Sequence, residues 1–117
     1  GVADEILIQM SYAIGVVEPT SIFIDTYGTS KVNLSDTKIA SIASRLFDMR
    51  PYAIENRLKL RNPIYLETAS YGHMGRQPSK TNKTFKSPYN GEFSKEVELF
   101  TWEKLDYVEL IKREFQL

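Results

Sequence analysis

Ile6, Ile8, Met10, Tyr12 and Ile14 alternate with Leu7, Gln9, Ser11 and Ala13 near the start of the chain. A period of two, rich in β-branched and aromatic side chains, predicts a strand over residues 6–14. Leu7 and Ala13 on the second face predict that this strand is partly covered on both sides. Residues 15–20 (GVVEPT) carry Gly and Pro and read as a turn or crossing. Residues 21–27 (SIFIDTY) read as a second strand and 28–33 as a loop.

The period then changes. Ile39, Ile42, Ala43, Leu46 and Phe47 form one helical stripe, with Ser35 as its N-cap and Asp36 suited to the positive helix start. Pro51 opens a further helix with Ile54 and Leu58 inward, which Asn62-Pro63 breaks. Residues 64–76 (IYLETASYGHMGR) show no sustained period and read as a packed loop with short extended pieces. Residues 77–95, rich in Ser, Lys, Asn, Pro and Gly, read as a flexible excursion. A last helix is predicted over 104–115, with Leu105, Val108, Ile111 and Phe115 inward. The sum is α+β: two or three strands in a small sheet, with helices packed on one face.

Composition narrows the chemistry. The chain has 117 residues, 42% of them hydrophobic, which suffices for one domain and a core. Fifteen Lys and Arg balance fifteen Asp and Glu, so the broad basic footprint of a nucleic-acid or acidic-membrane binder is missing. No run approaches the roughly 18 apolar residues of a membrane-spanning helix, and the first residues lack the pattern of a signal peptide. There is no Cys and one His, which excludes a disulfide framework, a zinc-thiolate site and a histidine cluster within one chain. The opening Gly1-Val2-Ala3 lacks an initiator Met, as expected of a processed protein or a piece of a longer one.

Charge is uneven locally. Residues 71–95 carry five cations against Glu92, whereas 96–117 carry six acids and three bases. A solvated loop beside a solvated helix accounts for this; the alternative is a single-strand-binding arm with Phe85, Tyr89 and Phe93 as stacking platforms. Gly72-His73-Met74-Gly75-Arg76 lacks the strand and helix of a dinucleotide-binding turn. His73 reads as a hydrogen-bonded structural residue before a general base, and Arg76 as a salt-bridge partner before a phosphate ligand. Glu18, Asp25, Asp48 and Glu67 are too scattered to suggest a carboxylate pair, and Ser11 has no nucleophile elbow. Tyr65 and Trp102 read as core or interface anchors. Ile14, beside Gly15, is either plain core or the wall of an apolar pocket.

Four blocks go further. SYAIGVVEPTSI (11–22), FDMRPY (47–52), NPIYLETASYGHMGR (62–76) and TWEK (101–104) stand in this order. They closely resemble SYAIGVAEPTSI, FDLRPYGI, PIYxxTAAYGHFGR and FPWEK of the C-terminal part of the S-adenosylmethionine synthetase (methionine adenosyltransferase) family. Val17, Met49, Ala53, Ser70, Met74 and Thr101 depart from those patterns. Between Arg76 and Phe100 the family usually has a couple of residues and this chain has 23, an insertion of about 20. Both a neutral insertion and an added interaction loop fit it.

The resemblance implies the C-terminal domain of a three-domain α+β enzyme. Such an enzyme joins ATP and L-methionine by sulfur attack on C5′ and hydrolyses the tripolyphosphate. It further implies Mg²⁺ and K⁺, a cytoplasmic homodimer or homotetramer, and no nucleic-acid or membrane partner. Ile14 matches a position that contacts adenine. Pro19, Arg50, Tyr65, Tyr71, Gly72, His73 and Trp102 match positions assigned to folding and packing. His73 aligns with the His of the GHFGR block, not with the family's catalytic His. No catalytic or metal-binding residue is expected in residues 1–117, because the family supplies those upstream of SYAIG; the chain is therefore expected to be a truncation, inactive alone and prone to self-association through an uncovered sheet. The alternative function is a non-enzymatic interaction domain that uses residues 77–99, and a third is a small nucleic-acid module.

Overall fold

Ser35 caps the first helix as the sequence predicts: its Oγ accepts from the Lys38 N–H at 3.3 Å in a computed structural model that describes all 117 residues, Gly1–Leu117. That helix, α1 (Asp36–Leu46), buries Ile39, Ile42 and Ala43, three members of the predicted stripe. Strands β1 (Leu7–Ser11) and β2 (Ser21–Asp25) pair antiparallel, with Ile8 opposite Ile24 and Met10 opposite Ile22. α2 (Pro51–Leu58) begins at its Pro. Lys59, at φ 54°, then takes the left-handed C′ position, and Leu60 N–H returns to Glu55 C=O at 3.0 Å.

The chain divides into two compact units, Gly1–Ile54 with Asp106–Leu117, and Glu55–Leu105. In the first, Ile24, Ile39 and Ala43 form the core, and Val2, Val32, Met49 and Phe115 pack against it. Thr26, buried at the end of β2, donates from its N–H and Oγ1 to the two Asp36 carboxylate oxygens at 3.1 and 2.8 Å, which ties β2 to the start of α1. α4 (Val108–Phe115) supplies Phe115. It starts four residues later than predicted, residues 104–107 staying outside it after a 3₁₀ turn at Thr101–Glu103, and Leu105 is 80% exposed instead of inward. The expectation that β1 is partly covered on both sides holds: Leu7 on one face and Ile8 and Met10 on the other are each a little over half hidden. All three remain 39–46% exposed, and Ile8 edges an apolar cavity shared with Ile39 of α1.

The second unit departs most from expectation. Residues 64–76 are not wholly a loop: Tyr65–Ala69 form α3, with Ile64 and Thr68 buried. An i, i+4 pair over one turn is too short to register as a period. Residues 77–95 are not a flexible excursion either. They lie mostly in β3 (Ser79–Ser87) and β4 (Gly91–Leu99), nine-residue strands paired from Ser79 opposite Leu99 to Ser87 opposite Gly91. Asn90-Gly91, with Gly91 at φ 70°, is the hairpin signal that could have found it. The α+β class holds, with two two-stranded sheets where one small sheet was expected.

Candidate functional site

Residues 12–20 connect β1 to β2 and carry Ile14. Two backbone bonds shape this loop: Thr20 N–H to Ser11 C=O at 2.8 Å closes its base, and Val16 N–H to Ala13 C=O at 3.1 Å closes a tight turn. Gly15 sits at φ 81°, the value a type II turn needs at its third residue and one that a β-branched side chain resists. Ile14 therefore occupies the second residue of the turn, its first corner. It is fully exposed, which excludes the plain-core reading within this chain.

The loop is tied to the FDMRPY block. Tyr12 Oη donates to Met49 C=O at 2.6 Å. Arg50 grips Asp48 side-on, with Nε 2.9 Å from Oδ1 and Nη2 2.5 Å from Oδ2, and its backbone N–H also reaches Oδ1 at 3.2 Å. Glu18, from the loop, stands 3.9 Å from Arg50 Nε. These carboxylates, Asp48 before Glu18, hold the Arg50 guanidinium above its ordinary pKa. Glu18 and Asp48 are 30 residues apart in sequence, so their convergence on one Arg was invisible there; only the local Asp-x-Arg spacing hints at it. A cleft of about 780 Å³ opens beside them, lined by Glu18, Pro19, Thr37, Ser41, Phe47 and Arg50 among others. An apolar cavity of about 330 Å³ lies between Ile6, Ile8, Ile24, Ile39, Phe47 and Phe115.

The remaining candidates sit in the second unit. His73 Nδ1 is 2.9 Å from Glu103 Oε1, the hydrogen-bonded structural role expected of it. Arg76 does not make the expected salt bridge; its guanidinium lies over the Phe100 ring, 4.8 Å from the centroid. Trp102 is partly buried against the cluster of Ile64, Val97, Leu99 and Phe100, so its anchor reading holds. Tyr65 is half-exposed and donates to Leu60 C=O at 2.6 Å. Tyr71 is fully exposed and packs on nothing in this chain.

Two lysines of the basic segment pair with acids outside it. Lys80 pairs with Glu96 at 3.0 Å and Lys83 with Glu67 at 2.6 Å, while Phe85 and Phe93 stack on each other at 5.3 Å. Lys83 keeps the Glu67 carboxyl below its usual range. No three His, Cys, Asp or Glu side chains come together as a metal cage, and no helix is long and apolar enough to cross a membrane.

Similarity to known proteins runs along the whole chain. Against the S-adenosylmethionine synthase of Christiangramia forsetii it is 64% identical over 117 residues, all of this chain and 28% of that protein. Against those of Bacteroides thetaiotaomicron and Flavobacterium johnsoniae it is 65% identical over the same 117 residues, or 27% and 28% of their lengths. The chain thus spans about a quarter of the curated relatives it matches, and the matches run through residues 77–99 as well. The family model described as S-adenosylmethionine synthetase, C-terminal domain, matches residues 1–86, and the chain belongs to that family.

Proposed function

We propose that the longer protein to which this domain belongs forms S-adenosylmethionine from ATP and L-methionine. The methionine sulfur attacks C5′, the S–C5′ bond forms, and the C5′–O bond breaks to release tripolyphosphate, which is then hydrolysed to phosphate and pyrophosphate. The observation that carries this reading is identity of 64–65% to S-adenosylmethionine synthases over all 117 residues. All 117 residues are assigned to the C-terminal domain, with 77–99 as an insertion that the relatives named above share.

This domain's contribution is modest. Ile14 offers an apolar wall to the adenine, and its neighbours hold the loop that carries it. Stabilising a triphosphate leaving group requires several cations and metal-binding carboxylates. Glu18 and Asp48, the carboxylates that converge here, turn to Arg50. The family's Mg²⁺ and K⁺ and the catalytic groups are assigned to other segments of a cytoplasmic homodimer or homotetramer, and the 117-residue chain alone is inactive. The test is product formation from ATP and methionine with Mg²⁺ and K⁺, read by mass spectrometry. Turnover by the full-length protein and none by the 117-residue chain is expected. A folded full-length protein that makes no product overturns the assignment.

A further inference from the structure

We propose that Tyr12 and Arg50 are positioning residues that aim Ile14 at the adenine, an inference that rests on the reading of Ile14 given above. The loop over 12–20 fixes its own shape through two backbone bonds, but these say nothing of where the turn points. Ile14 itself has no packing neighbour to hold it, being fully exposed.

Direction comes from the tripeptide Asp48-Met49-Arg50. Tyr12, two residues before Ile14, donates its hydroxyl to Met49 C=O at 2.6 Å. That carbonyl is a stationary target. The Met49 side chain packs against the Ile24, Ile39 and Ala43 core, and the residues on either side of it are locked together by the two-pronged Arg50–Asp48 grip. On the far side of the turn, Glu18 approaches the same Arg50 at 3.9 Å. Both ends of the loop thus refer to one anchored tripeptide. Of the two ties, the hydroxyl–carbonyl bond is the stronger, since an exposed ion pair at that separation is weak. An apolar wall held in place before the base arrives does not have to be ordered on binding, so the ties act on nucleotide affinity.

The experiment uses the full-length enzyme. Tyr12→Phe removes only the hydroxyl; the KM for ATP should rise about threefold to tenfold, with kcat and the KM for methionine within about twofold. Ile14→Ala should raise the same KM, and the double variant should be no worse than the larger single effect, because Tyr12 acts through Ile14. A purely structural role would lower the melting temperature without this coupling. If Ile14→Ala raises the KM for ATP while Tyr12→Phe leaves it unchanged, or the two effects add, positioning is overturned and the adenine reading stands. If Ile14→Ala changes nothing, the adenine reading falls and the proposal with it. Should Tyr12→Phe unfold the enzyme, Arg50→Lys carries the test with the same outcomes, since it keeps the charge and loses the two-pronged grip.

Discussion

The two sheets of this chain solve the same problem in opposite ways. Each has two antiparallel strands, too few to hide both faces. The β3–β4 hairpin buries its apolar end, leaving Phe93 half-exposed near the tip, and pairs charges across its strands. Val97 and Leu99 are buried with Ile64 and Phe100, while Lys80 and Glu96 meet across the opposite face. The β1–β2 sheet buries only Ile24, against α1. Leu7, Ile8, Met10 and Phe23 stay 39–53% exposed, and its connecting loop holds out Ile14. One sheet is finished within the chain, and the other presents apolar surface of the kind that marks an interaction site. The difference teaches where to look for function: in the sheet that is energetically incomplete, next to the loop that the synthase reading assigns to the nucleotide.

The strongest way to break this comparison is to cut apolar bulk from each side. Ile64 is fully buried, so Ile64→Ala should cost about 2–5 kcal/mol, transfer and cavity terms combined. Phe23 is 53% exposed, and Phe23→Ala in the same 117-residue chain should change stability by about 1 kcal/mol or less. Urea unfolding of both variants reads the contrast directly. Similar losses from the two substitutions would mean that β1–β2 is as well packed as the hairpin.

Sequence pattern served these regions unequally. The period-two run and the Ser35-capped stripe placed β1, β2 and α1 within a few residues, because each signal is local and repeated. The hairpin escaped because its inward positions, Thr81, Lys83 and Phe85, are mostly polar, and Lys83 is acceptable there only through Glu67 on α3. That partner is 16 residues away and no local pattern announces it. Composition alone read the segment as flexible, although Asn90-Gly91 argued otherwise. At the candidate site, the four motif blocks pointed to Ile14 and Arg50, while the Tyr12–Met49 bond exists only in three dimensions, joining positions 37 residues apart. Leu105 has the right helical spacing, but residues 104–107 stay outside α4, which begins at Val108.

A gentler probe acts on charge at the hairpin's root. Lys104 and Lys59 both bond the Glu98 carboxylate, the latter at 2.6 Å, and hold its pKa at about 2, below the ordinary 4.5. A carboxylate depressed by folding stabilises the native state above its unfolded pKa and ceases to do so as pH falls through the folded one. Stability should therefore decline as pH drops from about 4.5 toward 2, and Glu98→Gln should flatten that part of the profile. Urea midpoints across the acid range, with and without the substitution, give the answer; identical slopes would mean the pairing is no stronger in the folded chain than in the unfolded one.

The smallest effect belongs near the hairpin tip. Lys86 and Glu92 face each other across the strands, 3.9 Å apart and 85% and 61% exposed. In water, such a pair returns little beyond the entropy of holding two long side chains, so Glu92→Gln should shift stability by no more than about 0.5 kcal/mol and respond weakly to salt. If the hairpin is finished by its buried end, the tip can lose a charge without consequence. A loss of more than about 1 kcal/mol would instead place part of its stability in the polar ladder, and the contrast between the two sheets would then lie in their charged faces as much as in their apolar ones.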